Sequence, residues 1–137
     1  MRRTVVVLPL IGWEDIGLTA EALKGLKVLD FCWVVIGPMT TRYLSDYGAE
    51  VVRVESEHRP DVIRWGVPFA KGQPGLNRSG YWANYNSGKL GIALNLATAE
   101  AREIAFRLAT EWADVVTENF TPGTMERLGP VSYTHLT

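Results

Sequence analysis

Cysteine is nearly absent from this 137-residue chain: Cys32 is the single one, so no internal disulfide can form. A lone cysteine in an apolar stretch reads as a small core residue rather than a nucleophile. A chain without a disulfide framework also fits a reducing cytoplasm. Histidine is scarce too. His58 and His135 lie far apart with no Cys or His partners at ligand spacing, so no metal is expected. There is no excess charge of one sign, since 14 Lys and Arg nearly balance 15 Asp and Glu. No basic field therefore draws the chain to nucleic acid or an anionic membrane, although a local anion site remains open.

Long hydrophobic runs are missing as well. Met1-Arg2-Arg3 followed by TVVVLPLIGW imitates the start of a signal peptide, but the apolar run is short and Glu14 and Asp15 follow at once. The segment is too short to span a bilayer. We read residues 1–22 as an extension, in strand or extended form, that leads into the domain. No GxxxxGK[ST] phosphate loop occurs. The stretch CWVVIGP has only Gly37 where a dinucleotide fingerprint needs three glycines.

What is present is an alternation of strands and helices. Lys27–Phe31 is a compact β-forming run after Gly25. Gly37-Pro38 marks a turn into a helix, with Met39, Tyr43 and Leu44 as its apolar face and Gly48 as its C-terminal stop. EVVRVE, ending at Glu55, is a second strand. Together these form a βαβ unit, for which the strands should be parallel and the crossover right-handed. From Ser56 to Gly80 prolines and glycines break the pattern, with Trp65 and Phe69 as candidate anchors of a long loop. SGYWANYNSGK mixes aromatics and amides. LGIALNL is a third strand, and Thr98 caps a helix whose buried face is Ile104, Ala105, Leu108 and Trp112. ADVVTENF is a fourth strand, and TPGTMERLG opens another helix. The fold class is α/β with a parallel sheet, as one domain or part of one.

Candidate chemistry concentrates at strand ends. Asn119 and Phe120 end the fourth strand, and the turn after them opens a helix whose first N–H groups would favour an anion, with Arg127 one turn in. A turn-capping Asn and a solvated Arg are the plainer reading of those residues. Glu55 stands where an acid would hold a ribose hydroxyl, yet without the glycines a structural role is favoured. Lys89 is either a phosphate contact or a solvated lysine at a strand entrance. Trp65, Phe69, Tyr81, Trp82 and Tyr85 suit core or dimer packing better than stacking on nucleic acid. Asp30, Asp46, Asp61 and Asp114 are scattered, and none has the neighbours of a catalytic acid.

Taken in order, GLKVLDF…GP…YLSDYGAEVVRVE, NSGKLGIALNL and ADVVTENFTPG…RLG resemble the opening of the family III CoA-transferases, also called the CaiB/BaiF family. The likeness runs from about Leu23 to Gly129. It implies a Rossmann-like domain that binds coenzyme A, in a protein that forms an interlocked homodimer. It implies that CoA is met by the loop after the first strand, Trp33 to Ile36 with Val34 at its centre. Further contacts would come from Leu94, Asn119, Phe120, Arg127 and Leu128.

Transferases of this kind pass CoA from an acyl-CoA to a carboxylic acid acceptor through an aspartate nucleophile. That aspartate lies beyond the matched motifs, so no catalytic residue is assigned. The racemase branch of the family, or a non-catalytic nucleotide- or CoA-binding module, are the alternatives. Where many relatives place a basic residue after the second strand this chain has Ser56, with Arg59 as a candidate substitute. The expected layout is 1–22 extension, 23–130 N-terminal part of the large domain, and 131–137 a foreign or truncation-derived tail. Alone, the piece should be inactive.

Overall fold

The computed structural model describes residues 21–128. The readings for residues 1–20 and for the tail 131–137 fall outside them. Four strands, β1 (Lys27–Asp30), β2 (Glu50–Glu55), β3 (Leu90–Ala93) and β4 (Val115–Thr117), form one parallel sheet in the order β3-β2-β1-β4. The chain moves outward from β1 to β3 and then returns to β4 on the far side of β1. Neighbouring connections therefore leave in opposite directions at β1 and β4, which opens a crevice at the carboxyl ends of those strands.

Strand periodicity sorts the sheet into two faces. Leu29, Phe31, Val52 and Val54 face a core completed by Ala101, Ala105, Ala109 and Met125. Val28 and Val51 face the other way, onto Ala49, Leu44, Leu23 and Leu26. Asp30 and Arg53 share this second face and are also buried, which sets up the polar network described below.

Helix α1 (Ile36–Asp46) buries Gly37, Pro38 and Thr41 rather than the expected Met39–Tyr43 face. Tyr43 is 54% exposed, and only Leu44 of the expected apolar set joins the core. The small residues let α1 lie close to β1, and Thr41 turns inward because Asp30 accepts its hydroxyl. Gly48 follows the helix at φ 97°, the left-handed stop expected of it.

The segment after β2 is more ordered than its sequence suggests. It carries single turns at Val62–Trp65 and Ala70–Gly72, then helix α2 (Gly80–Asn86). Ser79 caps α2 by accepting the Trp82 N–H, while its own hydroxyl reaches the carbonyls of Ile63 and Gly66. Trp65 does not pin this segment, being 58% exposed; Ile63, Ser79 and Arg64 do. Helix α3 (Ala99–Arg107) starts at the expected cap, Thr98, which accepts the Ala101 N–H, and continues as a π turn at Leu108–Trp112. Its buried stripe is Ala101, Ala105 and Ala109, with Leu108 and Trp112 half-buried beside it. Ile104, expected in that stripe, is 45% exposed. Helix α4 (Thr124–Leu128) follows β4 and contributes Met125 to the core.

Candidate functional site at the carboxyl edge of the sheet

The loop from β1 to α1 is held from both sides. On the β4 side, the Asn119 side chain accepts the Trp33 N–H at 2.8 Å and donates to the Trp33 carbonyl at 2.9 Å. This reciprocal pair imitates a strand contact and ties the two segments across the crevice. On the β2 side, Asp61 accepts the Val34 N–H at 3.0 Å. Val34 itself sits at φ 68°, a left-handed conformation that a β-branched residue rarely adopts. Such strain is worth about 1–3 kcal/mol and persists only where surroundings impose it. Gly37 then passes close beneath: a Cβ there would lie 2.4 Å from Cys32 Cβ and 3.1 Å from Asn119 Cγ.

Beside this loop opens a cavity of about 500 Å³. Of the residues that the family resemblance singled out, Leu94, Phe120, Arg127 and Leu128 line it together. Trp33 joins them, its ring edge-on to Phe120 with centroids 6.0 Å apart. Arg59 and Ser56 stand on the same wall, and the Arg59 guanidinium lies 5.8 Å from the Trp33 ring centre. Val34 and Asn119 do not line the cavity; the Asn119 side chain and the Val34 N–H fix the loop that carries Trp33. Within the described residues α4 is only five residues long, so its dipole is a weak anion trap. The positive charge at this rim belongs to the Arg127 and Arg59 side chains. Arg127 is exposed, and among the described residues its guanidinium bonds Thr124, at 3.1 Å, with its other donors turned to no described partner.

Under the loop, on the α1 face of the sheet, runs a buried polar network that sequence spacing does not reveal. Lys89 is neither a phosphate contact nor solvated: its side chain is 1% exposed. The three N–H donors of the ammonium are shared among four acceptors, Asp30 at 3.0 Å, the Pro38 carbonyl at 2.9 Å, Thr41 at 2.7 Å and Asn86 at 3.2 Å. Asp30 also accepts the Cys32 N–H and the Thr117 hydroxyl. Burial alone would push the Asp30 carboxyl up, but the Lys89 charge, aided by Thr41 and Cys32, outweighs it and holds it below its usual 3.8.

Burial and the nearby Asp30 charge push the Cys32 thiol the other way, up to about 12, which fits the core reading of that residue. Arg53, buried on β2, bonds Asn86 and Asp61. Glu55 receives Arg64 at 2.6 and 2.9 Å and the Asp61 N–H at 2.8 Å. Against the push of burial, those bonds and the positive charges of Arg64 and Arg53 hold the Glu55 carboxyl below its usual value. The structural reading of Glu55 therefore prevails over that of a ribose ligand. A smaller hollow of about 270 Å³ lies beyond it, where the Arg64 guanidinium stacks 3.8 Å from the Trp82 ring centre.

Among the described residues no group of His, Cys, Asp or Glu could hold a metal ion. No helix among them is long and apolar enough to cross a membrane.

Comparison with known proteins identifies the family. A succinyl-CoA:mesaconate CoA-transferase from Haloarcula marismortui is 47% identical over 108 residues, covering 77% of this chain and 26% of that protein. An acyl-CoA transferase from Fusarium pseudograminearum is 42% identical over 112 residues, covering 79% of this chain and 24% of its own length. A formyl-CoA:oxalate CoA-transferase from Escherichia coli O6:H1 is 38% identical over 107 residues, 78% of this chain and 24% of that one. Among solved structures, a CaiB/BaiF family protein from Brucella suis superposes with a TM-score of 0.70 at 37% identity, over 82% of this chain and 29% of that chain. The chain thus spans about a quarter of the length of the curated relatives it matches. The sequence model described as CoA-transferase family III matches residues 23–136, and the chain belongs to that family.

Proposed function

We propose that this chain is the N-terminal, CoA-binding part of a longer family III CoA-transferase, and that the cavity at the sheet edge receives the nucleotide end of coenzyme A. The observation that carries this reading is the convergence of Trp33, Leu94, Phe120, Arg127 and Leu128 on one cavity, with Arg59 at the rim. Its volume lies within the usual range for small-molecule sites, about 300–1,000 Å³. An apolar floor with aromatic edges suits a flat base. Two guanidinium groups suit phosphate oxygens, which they can meet with paired N–H donors.

In this reading the whole enzyme moves CoA from an acyl-CoA thioester to a carboxylic acid. An aspartate carboxylate attacks the thioester carbonyl and expels the CoA thiolate, leaving a mixed anhydride. The thiolate then attacks the aspartyl carbonyl and releases the first acid, which leaves an aspartyl-CoA thioester. The acceptor carboxylate runs the same two steps in reverse. Covalent catalysis of this kind divides one difficult transfer into easier ones.

The nucleophile is supplied by a part of the protein outside this sequence. Among the described residues, Asp30 and Asp61 are buried and paired with Lys89 and Arg53, Asp46 pairs with Arg42, and Asp114 accepts the Lys27 N–H. The same reading makes the whole protein a cytoplasmic homodimer. The test is calorimetric titration of the chain with CoA. Arg127→Ala should weaken binding about tenfold, as expected for losing one charged phosphate contact. Unchanged affinity would remove Arg127 from the site, and clear acyl-CoA turnover by this chain alone would refute the placement of the nucleophile.

A further inference from the structure

Val34 and Lys71 are the non-glycine residues with positive φ among those described, and only Val34 is β-branched. It follows Trp33, the aromatic wall of the cavity, and is itself 43% exposed, so core packing does not hold it in that conformation. Its N–H is bonded by Asp61, which comes from the connection after β2, on the side of β1 opposite to Asn119. Asp61 is fully buried and rigidly placed. It accepts the Ile63 N–H on its other oxygen, pairs with the Arg53 guanidinium, and donates its own N–H to Glu55.

Asn119 alone would tie Trp33 to β4 and leave the next residue free to relax to negative φ. Such a relaxation rotates the peptide after Trp33 and alters the exit of the loop toward Gly37, where the close approach to Cys32 leaves no slack. A carboxylate suits position 61 better than an amide, because the same oxygen that captures Val34 also meets the buried Arg53 guanidinium, whose other side lies 3.6 Å from Glu55.

We propose that Asp61 is a positioning residue for the CoA site: with Arg53 behind it, its carboxylate holds Val34 left-handed and so keeps Trp33 in the cavity wall. This rests on the reading that the cavity binds CoA. A merely structural Asp61 would neutralise Arg53 and cap the turn at Ile63 without acting through Val34, and a double-mutant cycle separates the two roles. CoA affinity is measured by calorimetry for the unaltered chain, Asp61→Asn, Val34→Gly and the double variant. Glycine takes positive φ without strain, so at position 34 it removes the need for capture.

Asp61→Asn is expected to weaken CoA binding about tenfold when residue 34 is Val, and by less than about threefold when it is Gly. Equal losses in both backgrounds overturn the proposal while leaving the CoA reading intact. Absence of CoA binding by the unaltered chain overturns both. Should Asp61→Asn lose its circular dichroism spectrum, Val34→Pro decides instead, since proline cannot take positive φ and has no N–H to give Asp61. A folded Val34→Pro chain should lose CoA affinity at least about tenfold, and undiminished affinity overturns the proposal.

Discussion

Replacing Lys89 by Met keeps the length of the buried stem and removes its charge. The change strips Asp30 of its ion partner, leaving the carboxylate with Thr41, the Cys32 N–H and Thr117, and it takes a donor from the Pro38 carbonyl and from Asn86. Breaking one side of a buried pair in this way costs about 3–5 kcal/mol, mostly the penalty of the charge left behind. A domain is stable by only about 5–15 kcal/mol, so the loss is large, equivalent to roughly 10 °C or more in Tm. Urea denaturation followed by circular dichroism measures it.

The pH dependence carries the same physics with a definite sign. In the unaltered chain the folded Asp30 pKa lies below the unfolded 3.8, so the group stabilises the fold above that value. This contribution is lost as pH falls through the folded pKa. Without Lys89 the push of burial is opposed by hydrogen bonds alone, so the folded pKa of Asp30 moves up and the ionised carboxylate loses its stabilising partner near neutrality. That loss fades as acid protonates the group. The gap between variant and unaltered chain should therefore be widest near pH 7 and narrow toward pH 4. Adding Asp30→Asn to Lys89→Met should recover much of the loss. A deficit under about 1 kcal/mol that does not vary with pH would mean a solvated Lys89 and would refute the buried pair.

Two further outcomes follow from the same loop. Gly37→Ala forces a Cβ to within 2.4 Å of Cys32 Cβ, and overpacking of that kind should destabilise the fold by about 1–3 kcal/mol in urea and weaken CoA binding by displacing Asn119; a neutral variant would show that α1 is not seated as described. Cys32, buried with its thiol pushed up to about 12, should stay unmodified by a thiol-reactive disulfide at pH 8 until the chain is denatured, whereas rapid labelling of the native chain would place it at an open surface.

The strands were legible because each is a short β-forming run bounded by glycine or a polar turn, and β2 matches its expected span, Glu50–Glu55, residue for residue. Thr98 and Gly48 were legible for a similar reason, since caps act through neighbours in sequence. Helix α2 was not, because Tyr, Trp and Asn between glycines carry no helical periodicity; Ser79 and packing against α1 hold it. The faces of α1 and α3 were misread where small residues, Gly37 and Thr41 in one and Ala101 and Ala109 in the other, do the burying while Tyr43 and Ile104 stay outside.

At the site, Leu94, Phe120, Arg127 and Leu128 were reached through the family resemblance and share one cavity. The network beneath them could not be read. Asp30 and Lys89 are 59 residues apart in sequence, and Val34 and Asp61 are 27 apart, so only the folded sheet brings these charges and donors together.

Coenzyme A is proposed to enter the cavity between the β1–α1 loop and α4. Titration of the isotopically labelled chain with CoA, followed by amide NMR shifts, tests it most directly. Perturbations concentrated at Trp33, Arg59, Leu94, Phe120, Arg127 and Leu128, and weak in Arg127→Ala, are the result expected. Shifts confined to the Arg64–Trp82 hollow, or none at millimolar CoA, would contradict it.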